Sequence, residues 1–408
     1  MNKEEILTKY AELVLLKGVS MQRGQGVEIV CPVERNDVAK IFAKTAFSLG
    51  ARDVSVRYED RIIDKYNYLY GDKEYLSDIP KWKIMQRDNL LKKNYCYVAI
   101  DGDDPSVFKD VPVEKLAYIK KARAKAFKKF SDEVMKNGIR WCVVSIPTES
   151  WAKEIFKNDK NAVDKLWELI IKSMRLDSSD PVSAWTQHVS ILNKRAEFLN
   201  AKRFSYLEYK NKSGTDIKVG LIENHVWLSA EEKAQDGVKF IANMPTEEVF
   251  TAPHNKRIDG TVRSALPLSY NGQIIDDFTI TFKKGKIVSV SAKKGEDLLK
   301  KLIETDSGTK SLGEVALIGK NSPIALSNVL FYNTLFDENA SCHFAIGGAY
   351  PTTVKNGDTL SKKELHKLGF NDSKEHVDFM IGTKDLNITG VQKDGTRTPI
   401  FIDGDWVI

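Results

Sequence analysis

Residues 26–58, GVEIVCPVERNDVAKIFAKTAFSLGARDVSVRY, carry the pattern from which the fold is read. GVEIVC, at residues 26–31, is an apolar run that reads as a strand. VAKIFAKTAFSL, at residues 38–49, repeats its apolar positions at helical spacing and stops at Gly50. DVSVRY, at residues 53–58, alternates as the next strand. Strand, helix and strand in this rhythm imply parallel pairing through right-handed crossovers.

The same theme extends outward. Residues 6–16 have helical spacing, residues 93–100 and 140–146 (RWCVVSI) are further apolar strands, and residues 113–137 read as one long helix between them. Residues 161–176 form another amphipathic helix, LDSSDP at 176–181 reads as a break, and residues 182–199 form a helix that crosses between domains. Beyond it the signals change. Residues 204–210 alternate, residues 214–219 continue after the turn KNKSG, and residues 272–283 pair with 286–290 across Lys284 and Gly285. Helices are expected at residues 297–304 and 361–368. The fold class is therefore an α/β N-terminal domain with a mostly parallel sheet (1–182), plus an α+β C-terminal domain with mostly antiparallel strands (183–408).

A chain of 408 residues is too long for one compact core, and its 42% hydrophobic and 29% charged residues describe ordinary globular material. The net charge of +6 is small for this length and spread along it, which excludes a polybasic tail. The run KKARAKAFKK at residues 120–129 interleaves alanines and Phe127 on a helix, so it reads as a solvated face rather than a nucleic-acid surface. MNKEEILTKY is too charged for a signal peptide, and no stretch of eighteen apolar residues occurs, so a cytoplasmic protein with no membrane partner is expected. Cys31, Cys96, Cys142 and Cys342 form no CxxC pair and are expected as buried reduced thiols, which makes a thiolate zinc site improbable. Neither GxGxxG nor GxxxxGK[ST] is present.

The chemistry concentrates in four late segments. FDENASCHFAIGGAY, residues 336–350, places Glu338 and His343 close in sequence and ends on Tyr350. HVDFMIG, residues 376–382, alternates as a strand, so His376 and Asp378 project from one face. GEVALIG puts Glu314 at the head of an apolar run, expected at a strand end. NMPTEEVFTAP holds Glu247 and Glu248, which face opposite sides of an extended chain, so at most one enters any given site. Glu248 or Glu247 with Glu314, Glu338, His343, His376 and Asp378 make an oxygen and nitrogen ligand set, without sulfur, suited to two divalent ions. His188 and His366 are expected on polar helix faces, and His225 and His254 in loops.

NMPTEEVFTAPHNKRIDGTV, EVALIGKNSPI, FYNTLFDENASCHFAIGGAYP and HVDFMIGTKDL, in this order, resemble the conserved blocks of the thermophilic metalloaminopeptidases, peptidase family M29, the aminopeptidase T, aminopeptidase S and PepS group. The resemblance spans nearly the whole chain. It implies a cytoplasmic, homodimeric exopeptidase that takes a peptide with a free N-terminus and removes its first residue. Two divalent ions are implied, Zn2+, Co2+ or Mn2+, with Mg2+ also accepted. By the resemblance the metal ligands fall on Glu248 (with Glu247 kept open), bridging Glu314, Glu338, His343, His376 and Asp378. The catalytic residues fall on Tyr350 and Glu338. The N-terminal domain would serve gating and dimer contact, and the C-terminal domain catalysis. The alternatives are another dinuclear metallohydrolase, an amidase or dipeptidase, or a non-catalytic metal-binding protein.

Overall fold

The strand-helix-strand reading of residues 26–58 holds in the computed structural model, which describes residues 2–270 and 273–408. β1 (Gly26–Pro32), β2 (Asp53–Glu59), β3 (Cys96–Asp101) and β4 (Trp141–Ser145) form a wholly parallel sheet in the order β2-β1-β3-β4. Val27, Ile29 and Cys31 of β1 are fully buried. Helix Asn36–Ser48 is the crossover from β1 to β2, and it buries Val38, Ala39, Phe42, Thr45 and Ala46, positions spaced along one face.

The chain divides into two compact units, residues 1–187 with 231–245, and residues 188–230 with 246–408. In the first unit, residues 231–245 run beside β4, where the Val143 amide donates to the Ala242 carbonyl at 2.8 Å and the Met244 amide to the Val143 carbonyl at 3.0 Å. The single helix expected over residues 113–137 is instead two, Val113–Ala126 and Lys128–Met135, turning at Phe127. The two halves bury their apolar faces in different clusters: Ile119 packs with Tyr68 and Val111, whereas Phe130 packs with Leu90, Tyr95 and Ile139. One straight axis does not serve both. Lys120, Lys121, Lys125, Lys128 and Lys129 are exposed, as expected of a solvated face. All four cysteines are buried and free, and no helix among the described residues is long and apolar enough to cross a membrane.

The second unit is built on antiparallel sheets. The larger has nine strands, among them Tyr206–Lys210, Asp216–Leu221, Pro253–Arg263, Gln273–Lys283, Lys286–Lys294 and Asn387–Val391. The strand expected from residue 272 is described from Gln273, and Gly272 lies outside the described residues. The smaller sheet has four strands in the spatial order His376–Met380, His343–Gly347, Leu312–Leu317, Val249–Thr251. Aromatic side chains fill the space between the sheets. Tyr209 meets Phe344 edge-on with ring centroids 5.0 Å apart, Phe344 meets Phe379 at 6.1 Å, and Phe379 meets Phe278 at 5.6 Å. The first two pairs are edge-to-face, a geometry that adds to the burial of the rings themselves.

Candidate metal centre

The register of the smaller sheet decides which side chains share a face. Phe344 is opposite Phe379 and Val315, and these three point toward the larger sheet's side of the pleat. Alternation then sends His343 and Ala345 the other way, with Asp378 opposite Ala345, His376 opposite Gly347 and Glu314 opposite Ala345. Phe250 is opposite Ala316, the partner of His343, so Glu248, two residues before Phe250, shares that face as well. Pairing parity thus gathers Glu314, His343, His376 and Asp378 from three strands, and Glu248 from just before the fourth, onto one surface.

Distances bear this out. His343 Nε2 lies 3.4 Å from Glu248 Oε2, 3.5 Å from Glu314 Oε1 and 3.9 Å from Asp378 Oδ1. His376 Nε2 lies 3.4 Å from Glu314 Oε2 and 3.3 Å from Asp378 Oδ1. Two groups have ligand atoms within 4.8 Å of one another, Glu248 with Glu314 and His343, and Glu314 with His376 and Asp378. Glu314 belongs to both, each of its oxygens facing a different imidazole. It sits within the strand rather than at its end, beside a register shift between Leu312 and Glu314, and it is 5% exposed.

Backbone carbonyls aim the imidazoles. His376 Nδ1 pairs with the Gly348 carbonyl at 2.7 Å and His343 Nδ1 with the Ser341 carbonyl at 3.3 Å. A ring whose Nδ1–H donates to a carbonyl presents its Nε2 lone pair to the site. The glycines around Gly348 are required for this approach. Gly347 has φ +110°, and a Cβ at Gly313 would lie 2.2 Å from the Gly348 carbonyl oxygen.

Four carboxylates near two imidazoles perturb one another. Burial, then the Glu314 charge, pushes Glu248 up to about 8. Burial, then Glu248 and Asp378, holds Glu338 well above the usual carboxylate range. Burial would lower His343, but hydrogen bonding to Glu314 and the charges of Asp378 and Glu248 raise it to about 10. His376 reaches about 10 for the same reason, burial being outweighed by Asp378. Asp378 is drawn down against its burial by His376 and His343. Glu248 Oε2 and Asp378 Oδ1 are buried without a hydrogen-bond partner, a state costly for a carboxylate oxygen unless a cation faces it. The donor set, carboxylates and imidazoles only, fits a divalent ion.

Glu338 lies in the 3-10 turn Glu338–Ala340, close enough to Glu248 and Asp378 to feel both charges, but outside the two groups just described. Tyr350 stands over His376 with ring centroids 4.8 Å apart and is 38% exposed. Burial first, then the charges of Glu314, Asp378, Glu338 and Glu248, drive its phenol pKa upward, so the O–H is retained as a donor. A cavity of about 280 Å³ opens beside these groups, lined by Glu338, His376 and Asp378 together with Leu268, Tyr332 and Met380.

Glu247 turns away from the cluster. Its carboxylate lies 3.6 Å from His188 Nε2, and its amide donates to Asn339 Oδ1 at 2.7 Å. His188 is thus buried against Thr246, whose carbonyl is 2.8 Å from its Nε2, and is not on a polar helix face. His254 lies in strand Pro253–Arg263 rather than a loop, and His225 is held by the Ile222 carbonyl at 2.7 Å. Asn339 and His188 support the segment bearing Glu248, and motif reasoning passed over both.

The chain belongs to the thermophilic metalloprotease family M29, whose profile matches residues 3–406. It is therefore a metal-dependent hydrolase of peptides, as the four sequence blocks led us to expect. Aminopeptidase 2 of Geobacillus stearothermophilus is 43% identical over 405 residues, covering 99% of this chain and 98% of that one. Aminopeptidase AmpS of Bacillus subtilis is 41% identical, covering 98% of each. Among solved structures, wild-type AmpT from Thermus thermophilus superposes with a TM-score of 0.92 at 35% identity, covering 100% of both chains.

Proposed function

We propose that this protein is an aminopeptidase that removes the first residue of peptides with a free N-terminus, using two divalent ions held by the smaller sheet of its second unit. The observation that carries the two-ion reading is Glu314, common to both ligand groups and offering one oxygen to each. Glu248 and His343 would complete the set for one ion, and His376 and Asp378 for the other. Zn2+, Co2+ and Mn2+ suit the donors, and Mg2+ is admissible. When bound, such a pair supplies Lewis acidity that lowers the pKa of water toward neutrality and polarises the scissile carbonyl.

The chain's own residues do the rest. Tyr350, an un-ionised phenol at the edge of the cluster, donates its O–H to the substrate carbonyl oxygen, a contact that strengthens as negative charge develops there. Glu338, beside the ligand groups rather than in them, accepts a proton from the attacking water and delivers it to the leaving amine. An acidic side chain of the cluster receives the substrate's ammonium. The names of the curated relatives support exopeptidase action at the N-terminus. A second copy of the chain, as a homodimer, is part of the proposal.

Aminoacyl anilides compared with their N-acetylated analogues test it. Turnover confined to the free-amine substrates is expected, and equal turnover of the blocked ones would reassign the protein to an amidase.

A further inference from the structure

The first unit holds a cavity of about 390 Å³ that the peptidase reading does not use. Its floor is the parallel sheet. Glu28 of β1 is in register with Tyr97 of β3, and Val30 with Arg57 of β2, so Glu28, Tyr97 and Arg57 rise from one face. Its roof is helix Lys81–Lys92, which contributes Trp82 and Arg87, and the turn at Phe127 with Arg123 just before it.

Two charged groups here are left incomplete. Glu28 is 1% exposed, and its Oε2 has no hydrogen-bond partner. Its Oε1 is 3.7 Å from Arg57 Nε, but Arg57 is already bonded to Glu59 and, at 3.0 Å, to the Tyr97 hydroxyl. Arg87 lies over the Phe127 ring, 4.4 Å from its centroid, and 5.2 Å from that of Phe130. Among the described residues it has no carboxylate within ion-pair distance. Burial, then the nearby Arg57 and Arg123 charges, lower its pKa despite Tyr97 and Glu59. Contact with the rings leaves the guanidinium's N–H donors for an acceptor in the cavity, and a carboxylate suits that fork.

A buried carboxylate with one oxygen unpartnered and an arginine held over aromatic rings without a carboxylate partner, in one aromatic-walled cavity, call for a ligand with both complements. A dianion such as phosphate would satisfy Arg87 and Arg123 but would be repelled by Glu28. The volume suits a small metabolite. We propose that this cavity binds a small zwitterion bearing a primary ammonium and a carboxylate, a free amino acid or a dipeptide, with the ammonium on Glu28 and the carboxylate on Arg87 and Arg123.

Calorimetric titration of the metal-loaded protein with L-leucine, L-phenylalanine, a Leu-Leu analogue whose peptide bond is reduced and uncleavable, N-acetyl-leucine, leucinol and inorganic phosphate tests this. Leucine or phenylalanine should bind, and Glu28→Gln and Arg87→Gln should each weaken that binding about tenfold or more, the scale of one charge-assisted pair. Removing either charge from the ligand should have a like effect, and the uncleavable Leu-Leu analogue binding more tightly than leucine would identify the dipeptide as the occupant. Anilide turnover should be unchanged in both variants, separating this site from the peptidase centre. Arg87→Gln strands no buried group, so it carries the test should Glu28→Gln fold poorly. Zwitterion binding that survives both substitutions, no zwitterion binding at all, or phosphate binding as tightly as leucine would overturn the proposal.

Discussion

Asn339→Ala is the substitution through which the supporting structure of the centre is most directly measured. Asn339 is fully buried; its Oδ1 accepts from the Glu247 amide at 2.7 Å and its Nδ2 donates to the Leu335 carbonyl at 3.0 Å. It therefore ties the segment bearing Glu248 to the turn bearing Glu338. Alanine strands one buried N–H and one buried C=O. Each costs about 1–3 kcal/mol, and the backbone can relax around one of them, so about 2–4 kcal/mol of stability should be lost. For a unit of this size that is a melting shift on the order of 5–15 °C. Supports of this kind also set ligand aim, so metal affinity should fall about 10–100-fold. Scanning calorimetry and metal titration on the same preparation measure both. A variant that melts within a degree of the parent and holds metal equally well would refute the clamp and the reasoning from it.

Tyr350→Phe should lower kcat by about 10²–10³-fold, with metal content unchanged, because a donor to a developing oxyanion is lost without touching a ligand; loss of metal would place Tyr350 in the ligand set instead. Glu314→Ala should release both ions, read by elemental analysis after dialysis, and retention of two tightly held ions would contradict the shared carboxylate. His343 and His376, both held up to about 10, carry protons at neutral pH when no cation is present. With Glu248 pushed up to about 8 as well, metal binding should release about two to three protons and weaken as pH falls, seen as buffer-dependent heats of binding; pH-independent affinity would contradict it. The sign for folding of the metal-free protein is opposite. The raised imidazole pKa values stabilise fully below the unfolded value of 6.5, and that contribution is lost as pH rises through about 10. Phe344→Ala, which removes the ring between Tyr209 and Phe379, should cost about 3–5 kcal/mol in chemical denaturation.

Much of this architecture was legible because short-range periodicity carries it. Apolar spacing located β1, its crossover helix and β2, and the alternation of HVDFM placed His376 and Asp378 on one face before any contact was known. The tight turn at Lys284 and Gly285 was legible for the same reason, since positive φ at both positions suits a two-residue hairpin. What escaped was non-local. Residues 387–391 pair with 206–210 through contacts far apart in sequence, and neither segment advertises its partner. Glu314 lies inside its strand rather than at its end because pairing already begins at Leu312, across a shift of register, which no pattern in GEVALIG announces. The choice between Glu247 and Glu248 as members of the cluster was open from the segment alone. It follows only from the pairing of Phe250 with Ala316. His188 looked like a surface residue because its burial depends on Thr246, distant along the chain.

His343 and Phe344 are consecutive residues on one strand, the first aimed at the reacting groups and the second wedged against Tyr209 and Phe379. The strand cannot loosen on one side and stay ordered on the other. Heat inactivation and collapse of the second unit's interior then become a single event, and the half-life of the enzyme at elevated temperature reports the barrier to unfolding. Durability is accordingly adjustable from the far side of the sheet, by filling space around the aromatic cluster, without altering any group that meets the peptide.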